Sequence, residues 1–115
     1  GGQKHGETVE AREKLKAAQA TEQATVNELR LDLREAYLQS TEAWQRLDVA
    51  RKSLETAEEA LRITSHRYEQ GAADISELLT AEAGLTATRT RNAAAYYDYL
   101  IALSNMDRAL GRLAE

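Results

Sequence analysis

The chain has 115 residues, a net charge of -4, no cysteine, no proline and no phenylalanine, with 30% charged and 5% aromatic residues. Without cysteine there are no disulfides, thiolate metal sites or cysteine nucleophiles; without a basic stripe there is no footprint for nucleic acid; and no apolar run reaches the ~20 residues of a membrane helix. What is left is rich in alanine, leucine, glutamate, arginine and threonine, the profile of long helices.

The chain opens Gly1-Gly2 with no methionine and no visible signal peptide, so residues 1–6 are expected to be a disordered remnant ahead of an excised segment. From there to Gly71 no glycine or proline interrupts the chain, and a helix is predicted over about 8–70. At 1.5 Å per residue it would reach roughly 95 Å. The alternation Leu29-Arg30-Leu31-Asp32-Leu33 would suit a strand taken alone, but helix formers and heptads on its C-terminal side keep it helical.

His66 and Arg67 place cations in the last turn, and Gly71 is positioned for a left-handed cap, so a turn is predicted at about 71–74. Asp74-Ile75-Ser76-Glu77 then reads as a capping box: the Asp74 carboxylate takes the Glu77 N–H while the Glu77 side chain reaches back. The second helix is predicted over about 75–111, ending at Gly111, with Gly84 costing about 1 kcal/mol inside it.

Heptads show how the two helices pair. On the first, Leu33, Ser40, Leu47, Leu54, Leu61 and Tyr68 form one stripe, and Ala36, Ala43, Ala50, Ala57 and Thr64 lie three residues on. On the second the large stripe is Leu78, Leu85, Asn92, Tyr99, Met106 and Leu113, and the small one Ala81, Thr88, Ala95, Ala102 and Ala109. A fold-back near residue 73 brings Leu61 to Leu85, Leu47 to Tyr99 and Ala43 to Ala102 in one register. The predicted fold is therefore all-α: a long antiparallel two-helix coiled-coil hairpin over residues 7–115.

This register leaves residues 8–30 without a partner. Tyr37, Trp44, Val49 and Ile63, with Tyr96, Tyr97, Leu100 and Ile101, lie off the seam, so the hairpin expects neighbours. Asn92 in the large stripe either fixes the register or faces a polar neighbour. For catalysis there is no nucleophile with a base, no phosphate loop and no convergent acids, since Glu58 and Glu59 point apart; no enzyme activity, cofactor or metal is expected. His66 has no second histidine at i+4 and reads as a solvated helix-end residue.

The stretch from Arg67-Tyr68-Glu69-Gln70-Gly71 through Asp74-Ile75-Ser76-Glu77-Leu78-Leu79-Thr80-Ala81 resembles a signature of TolC-like outer-membrane efflux proteins. Tyr97-Asp98-Tyr99-Leu100-Ile101-Ala102-Leu103, Arg108-Ala109-Leu110-Gly111 and the upstream Ala57-Glu58-Glu59-Ala60-Leu61-Arg62 resemble further elements in the same order. The resemblance covers residues 57–113, and the earlier part only by helical character. It implies a homotrimeric channel of the Gram-negative outer membrane, with a β-barrel above a periplasmic α-barrel. Such a channel exports small molecules, metal ions or polypeptides with an inner-membrane transporter and a periplasmic adaptor (membrane fusion protein).

On that resemblance the chain is a periplasmic tunnel hairpin, the second-repeat one, whose tip meets the adaptor. The contact candidates are Arg67, Tyr68, Gly71, Ala72, Ala73, Asp74 and Ser76, although capping alone accounts for Gly71 and Asp74. Glu77 matches an acidic position that can face the lumen and form a ring by trimeric symmetry, favouring cations; the plainer reading is the capping-box glutamate. The chain has Thr80 and Ala73 where some members carry another acid and a base. A competing reading is a coiled-coil scaffold or adaptor hairpin whose only task is protein assembly.

Overall fold

A chain with no proline offers no residue that both lacks an N–H and clashes with the preceding turn, and it forms helices as long as its turn signals permit. In the computed structural model, which describes residues 2–115, α1 spans Gly2–Glu69 and α2 spans Ile75–Ala114. The radius of gyration is 28.4 Å and the extents are 105 × 19 × 13 Å. A compact domain of this length would have a radius of about 13 Å, so the protein is a rod, two helices wide and one helix thick.

The seam consists of the stripes that the heptads select. Ala36, Ser40, Ala43 and Leu47 of α1 and Leu85, Thr88, Ala102 and Ala109 of α2 are buried, and Leu54, Leu61, Leu78, Asn92, Tyr99 and Leu113 are half-buried. The Ser40 hydroxyl approaches the Met106 sulfur at 3.8 Å and also donates to the Tyr37 carbonyl. Ser40 and Met106 are opposed in the same register that pairs Leu61 with Leu85, which fixes the alignment of the helices. Alanine on the small stripe lets the backbones come close: Ala43 and Ala109 are each only 2% exposed.

The seam has two irregularities. Tyr68, the last member of the α1 stripe, is 41% exposed because the helices part there into the turn. Asn92 has a buried Oδ1 with no hydrogen-bond partner among the described residues, a local cost of the order of 1–3 kcal/mol.

The helix boundaries differ from expectation at both ends. α1 begins at Gly2, so residues 2–6, expected to be a disordered remnant, continue the helix. Once a helix is nucleated each further residue adds a hydrogen bond, and Gly6, the one glycine between Gly2 and Thr8, only biases against helix. α2 passes through Gly111 to Ala114. Only Gly71 has a positive φ among the described residues, so Gly111 stays helical at a modest cost.

Residues 3–25 are exposed throughout, and burial begins only at Val26 and Leu29. This is the unpartnered stretch anticipated from the register. The off-seam apolar residues are also open to solvent: Tyr37 59%, Trp44 51%, Tyr97 63% and Ile101 59% exposed.

Candidate functional site

The tip is where the two helices exchange direction in five residues, and it is closed by hydrogen bonds on both sides of the turn. The Gly71 N–H donates to the Tyr68 carbonyl at 3.0 Å and the Ala72 N–H to the Arg67 carbonyl at 2.7 Å, the paired bonds of a Schellman stop. This arrangement requires the left-handed residue that Gly71 supplies, with φ 72°. A Cβ at Gly71 would meet nothing within 4 Å, so the demand for glycine is conformational and not steric.

On the other side of the turn Asp74 is extended (φ -87°, ψ 171°), and its Oδ1 accepts from the Glu77 N–H at 2.8 Å. That half of the expected capping box is present. The Glu77 side chain does something else: its Oε2 accepts from Arg67 Nη1 at 3.2 Å, while Arg67 Nη2 donates to the Ala72 carbonyl at 3.0 Å. One guanidinium thus ties the end of α1, the turn and the start of α2 together. Its planar fork permits two simultaneous bonds in divergent directions, which an ammonium cannot reproduce with the same geometry.

Both partners are 48% exposed, so the pair contributes at most about 1 kcal/mol. Its effect is to orient two charges more than to hold the fold. The contact joins residues ten apart across a turn, and no local spacing rule reveals it; only the closed Schellman geometry brings the two groups within reach.

Of the candidates singled out in the sequence, Arg67, Tyr68, Gly71, Ala72, Asp74 and Ser76 are exposed at the tip, as is Glu77. Ala73 is 8% exposed; it closes the end of the seam and lies beneath the surface that the others form. Ile75 and Leu79, not among the candidates, are 52% and 56% exposed beside them. With Tyr68 they give the tip an apolar component. His66 is exposed in the last turn of α1, and its carbonyl accepts from the Gln70 N–H.

Among the described residues no helix is long and apolar enough to cross a membrane. No curated protein and no solved structure gives a significant match to the chain. A family model described as outer membrane efflux protein does match, over residues 1–112. This reaches well beyond the motifs between Ala57 and Leu113 and takes in the unpartnered start of α1. The family is one of channel components, not enzymes, and its members work within efflux systems alongside adaptors and transporters. The two-helix rod, its closed tip and a match over nearly the whole chain lead to one assignment: the protein belongs to the outer membrane efflux protein family.

Proposed function

We propose that the chain is a hairpin of the periplasmic tunnel of a trimeric, TolC-like outer-membrane channel, and that its tip docks the periplasmic adaptor. The observation that carries the reading is the tip itself. A turn closed by a Schellman stop, the Asp74 cap and the Arg67 fork presents Arg67, Tyr68, Ala72, Asp74 and Ser76 at an end some 100 Å from the far end of the rod. A rigid, partly apolar protrusion suits end-on docking, because little freedom is lost on binding.

Two further features support a place within a larger wall. Residues 3–25 form helix with no partner in this chain, and the Trp44 and Tyr97 faces are apolar beyond what one seam can bury. Neighbouring helices, from the same subunit or from the other two of a homotrimer, would cover both. Glu77 would lie near the narrow axis at the tip. The cargo, small molecules, metal ions or polypeptides, would be chosen upstream by an inner-membrane transporter acting through the adaptor.

A photo-crosslinking amino acid at Tyr68 or Ala72, in the full-length protein in the periplasm, is expected to capture the adaptor, and one at Lys14 is not. Equal capture at all three positions, or none at the tip, overturns adaptor docking. A scaffold hairpin would be indifferent to the tip sequence. Reading the parent gene for a signal peptide and flanking amphipathic strands separates the two: a parent with neither is a scaffold.

A further inference from the structure

The heptad stripes of the seam do not stop where α2 does. Counted back from Leu33 and Ala36 in steps of seven, they run through Val26, Gln19, Arg12 and His5, and through Leu29, Glu22, Leu15 and Thr8. α2 covers little of this: Ala114, its last residue, stands opposite residues 31–32 in the register that pairs Leu47 with Tyr99. Val26 and Leu29 are half-buried at the edge of the covered part. Beyond them, in the overhang, Leu15 is 58% exposed.

The charges of the overhang fall into two sets. Off the stripes, Glu10 pairs with Lys14 and Glu13 with Lys16 along the same helix. On the stripes, Arg12 and Glu22 have no such partner: no acid stands three or four residues from Arg12, and no base from Glu22. Arg12 has Lys16 one turn on, a like charge. The two stripe charges are opposite in sign, and each is left for a second helix to neutralise.

A second copy of the chain supplies that helix. In the hairpin's own seam Leu47 opposes Tyr99 and Ala43 opposes Ala102. The same layering applied to two antiparallel overhangs, with Leu15 set against Leu15 of the second copy, opposes Arg12 to Gln19 and Thr8 to Glu22. Arg12 then projects into the hole formed by Leu15, Ala18, Gln19 and Glu22 of the second copy, beside the carboxylate it lacks on its own helix. The two-fold axis makes this contact twice. Sliding by one heptad is worse in both directions: one way sets Arg12 against Arg12, the other runs the second helix into the end of α2.

We propose that the 115-residue chain forms a two-fold symmetric, antiparallel dimer through residues 3–28 of α1, centred on Leu15 and held in register by Arg12 and Glu22 of opposite copies. The second overhang lies in line with α2, so that α1 is paired along nearly its whole length. One leucine layer among polar ones makes a weak contact. The dimer therefore forms at roughly 0.1–1 mM and dissolves at a few micromolar, where the chain is the monomer described above. The contact uses neither the tip nor the Trp44 and Tyr97 faces, so it stands or falls apart from the channel reading.

Sedimentation velocity of the chain across that range, at low salt, is expected to show the shift from monomer to dimer, and high salt should reduce it. Arg12→Glu alone and Glu22→Arg alone each place like charges at both contacts and should weaken association about tenfold or more. An equimolar mixture of the two variants restores opposite charges at both contacts and should associate as the parent does. The double variant Arg12→Glu/Glu22→Arg should do the same by itself. Both positions are exposed, so helix content by circular dichroism at micromolar concentration should not fall in any of them. A monomer throughout the range overturns the proposal. So does a dimer that neither single variant weakens, or a pair of single variants whose mixture stays apart; the contact would then lie elsewhere, as in the groove bordered by Tyr37 and Met106.

Discussion

From Leu33 to the turn, α1 loses two stripes of side chains to α2; from Gln3 to Thr25 the same helix gives up none, and every residue there is exposed. Helical backbone is common to both stretches, and the means of holding it is not. The overhang relies on local terms: Lys14 to Glu10 at 3.5 Å, Lys16 to Glu13 at 3.7 Å, and the Thr21 and Thr25 hydroxyls bonded to carbonyls one turn back. Side-chain ion pairs of this kind are worth about 0.2–0.5 kcal/mol each. The paired stretch adds burial of leucine, at roughly 1.5–3 kcal/mol per fully buried side chain. Continuity of a helix therefore says little about where its stability lies.

The sharpest way to break this comparison is to remove one leucine from each region. Leu85→Ala, at a seam position only 5% exposed, is expected to cost about 2–4 kcal/mol in urea unfolding followed by circular dichroism. Leu15→Ala, 58% exposed in the overhang, should stay within about 0.5 kcal/mol. Comparable losses would mean that the overhang has a partner in solution, a second copy being the first to look for by sedimentation.

Next in size is a gain. Asn92 leaves its Oδ1 unpartnered inside the seam, so Asn92→Leu removes an unsatisfied acceptor and completes the stripe. It should stabilise the isolated hairpin by about 1–2 kcal/mol. A loss of stability would show that the amide has a bond that the hairpin alone does not reveal. Gly71→Ala comes third. With open space around the site, the cost is that of holding an L-residue at φ 72°, about 1–2 kcal/mol. The loss should appear in thermal unfolding, with helix content below the transition unchanged.

Hydrogen exchange gives the same comparison residue by residue. Amides of 36–47 and 85–109 should exchange only on global unfolding, while those of 3–25 exchange through fraying.

The seam was legible because its signal is repeated. Eleven heptad layers, mostly of Leu, Ala, Met and Tyr, give the same answer, and one register closes them on the Gly71 turn, so an odd member such as Ser40 or Asn92 does not disturb it. The Asp74 cap was legible because capping is local chemistry. Three features were not. The Glu77 side chain had two possible partners, and the choice of Arg67 over the capping N–H depends on a turn geometry that no spacing encodes. The extension of the helices to Gly2 and Ala114 has no local signal, because glycine only biases against helix, and Gly111 without a following αL demand is tolerated. The third is the pair of unlike grooves at the open end, one bordered by Leu31, Tyr37, Met106 and Leu110 together with Arg30 and Arg34, the other by Asp32, Glu35, Arg108 and Arg112; their residues come together only once the helices are paired.

The smallest expected effect concerns acid. Arg62 Nε donates to Glu59 Oε2 at 2.8 Å, and this bond holds the Glu59 carboxyl below its ordinary range. A carboxylate whose folded pKa is depressed contributes stability above its unfolded pKa and loses it as pH falls through the folded one. The pair should therefore be intact at neutral pH and dissolve in acid. Because both side chains are more than half exposed, solvent screens the pair and no shift in the global unfolding midpoint is expected from it. The readout is instead the Glu59 side-chain resonance titrated by NMR: its pKa should lie below the usual carboxyl value, and Arg62→Gln should bring it back up. Acid should thus release the Glu59–Arg62 pair and leave the leucine and alanine layers closed. A single cooperative acid transition involving the seam would instead mean that charged groups hold the paired stretch as well as the overhang, and the distinction between the two regions would fail.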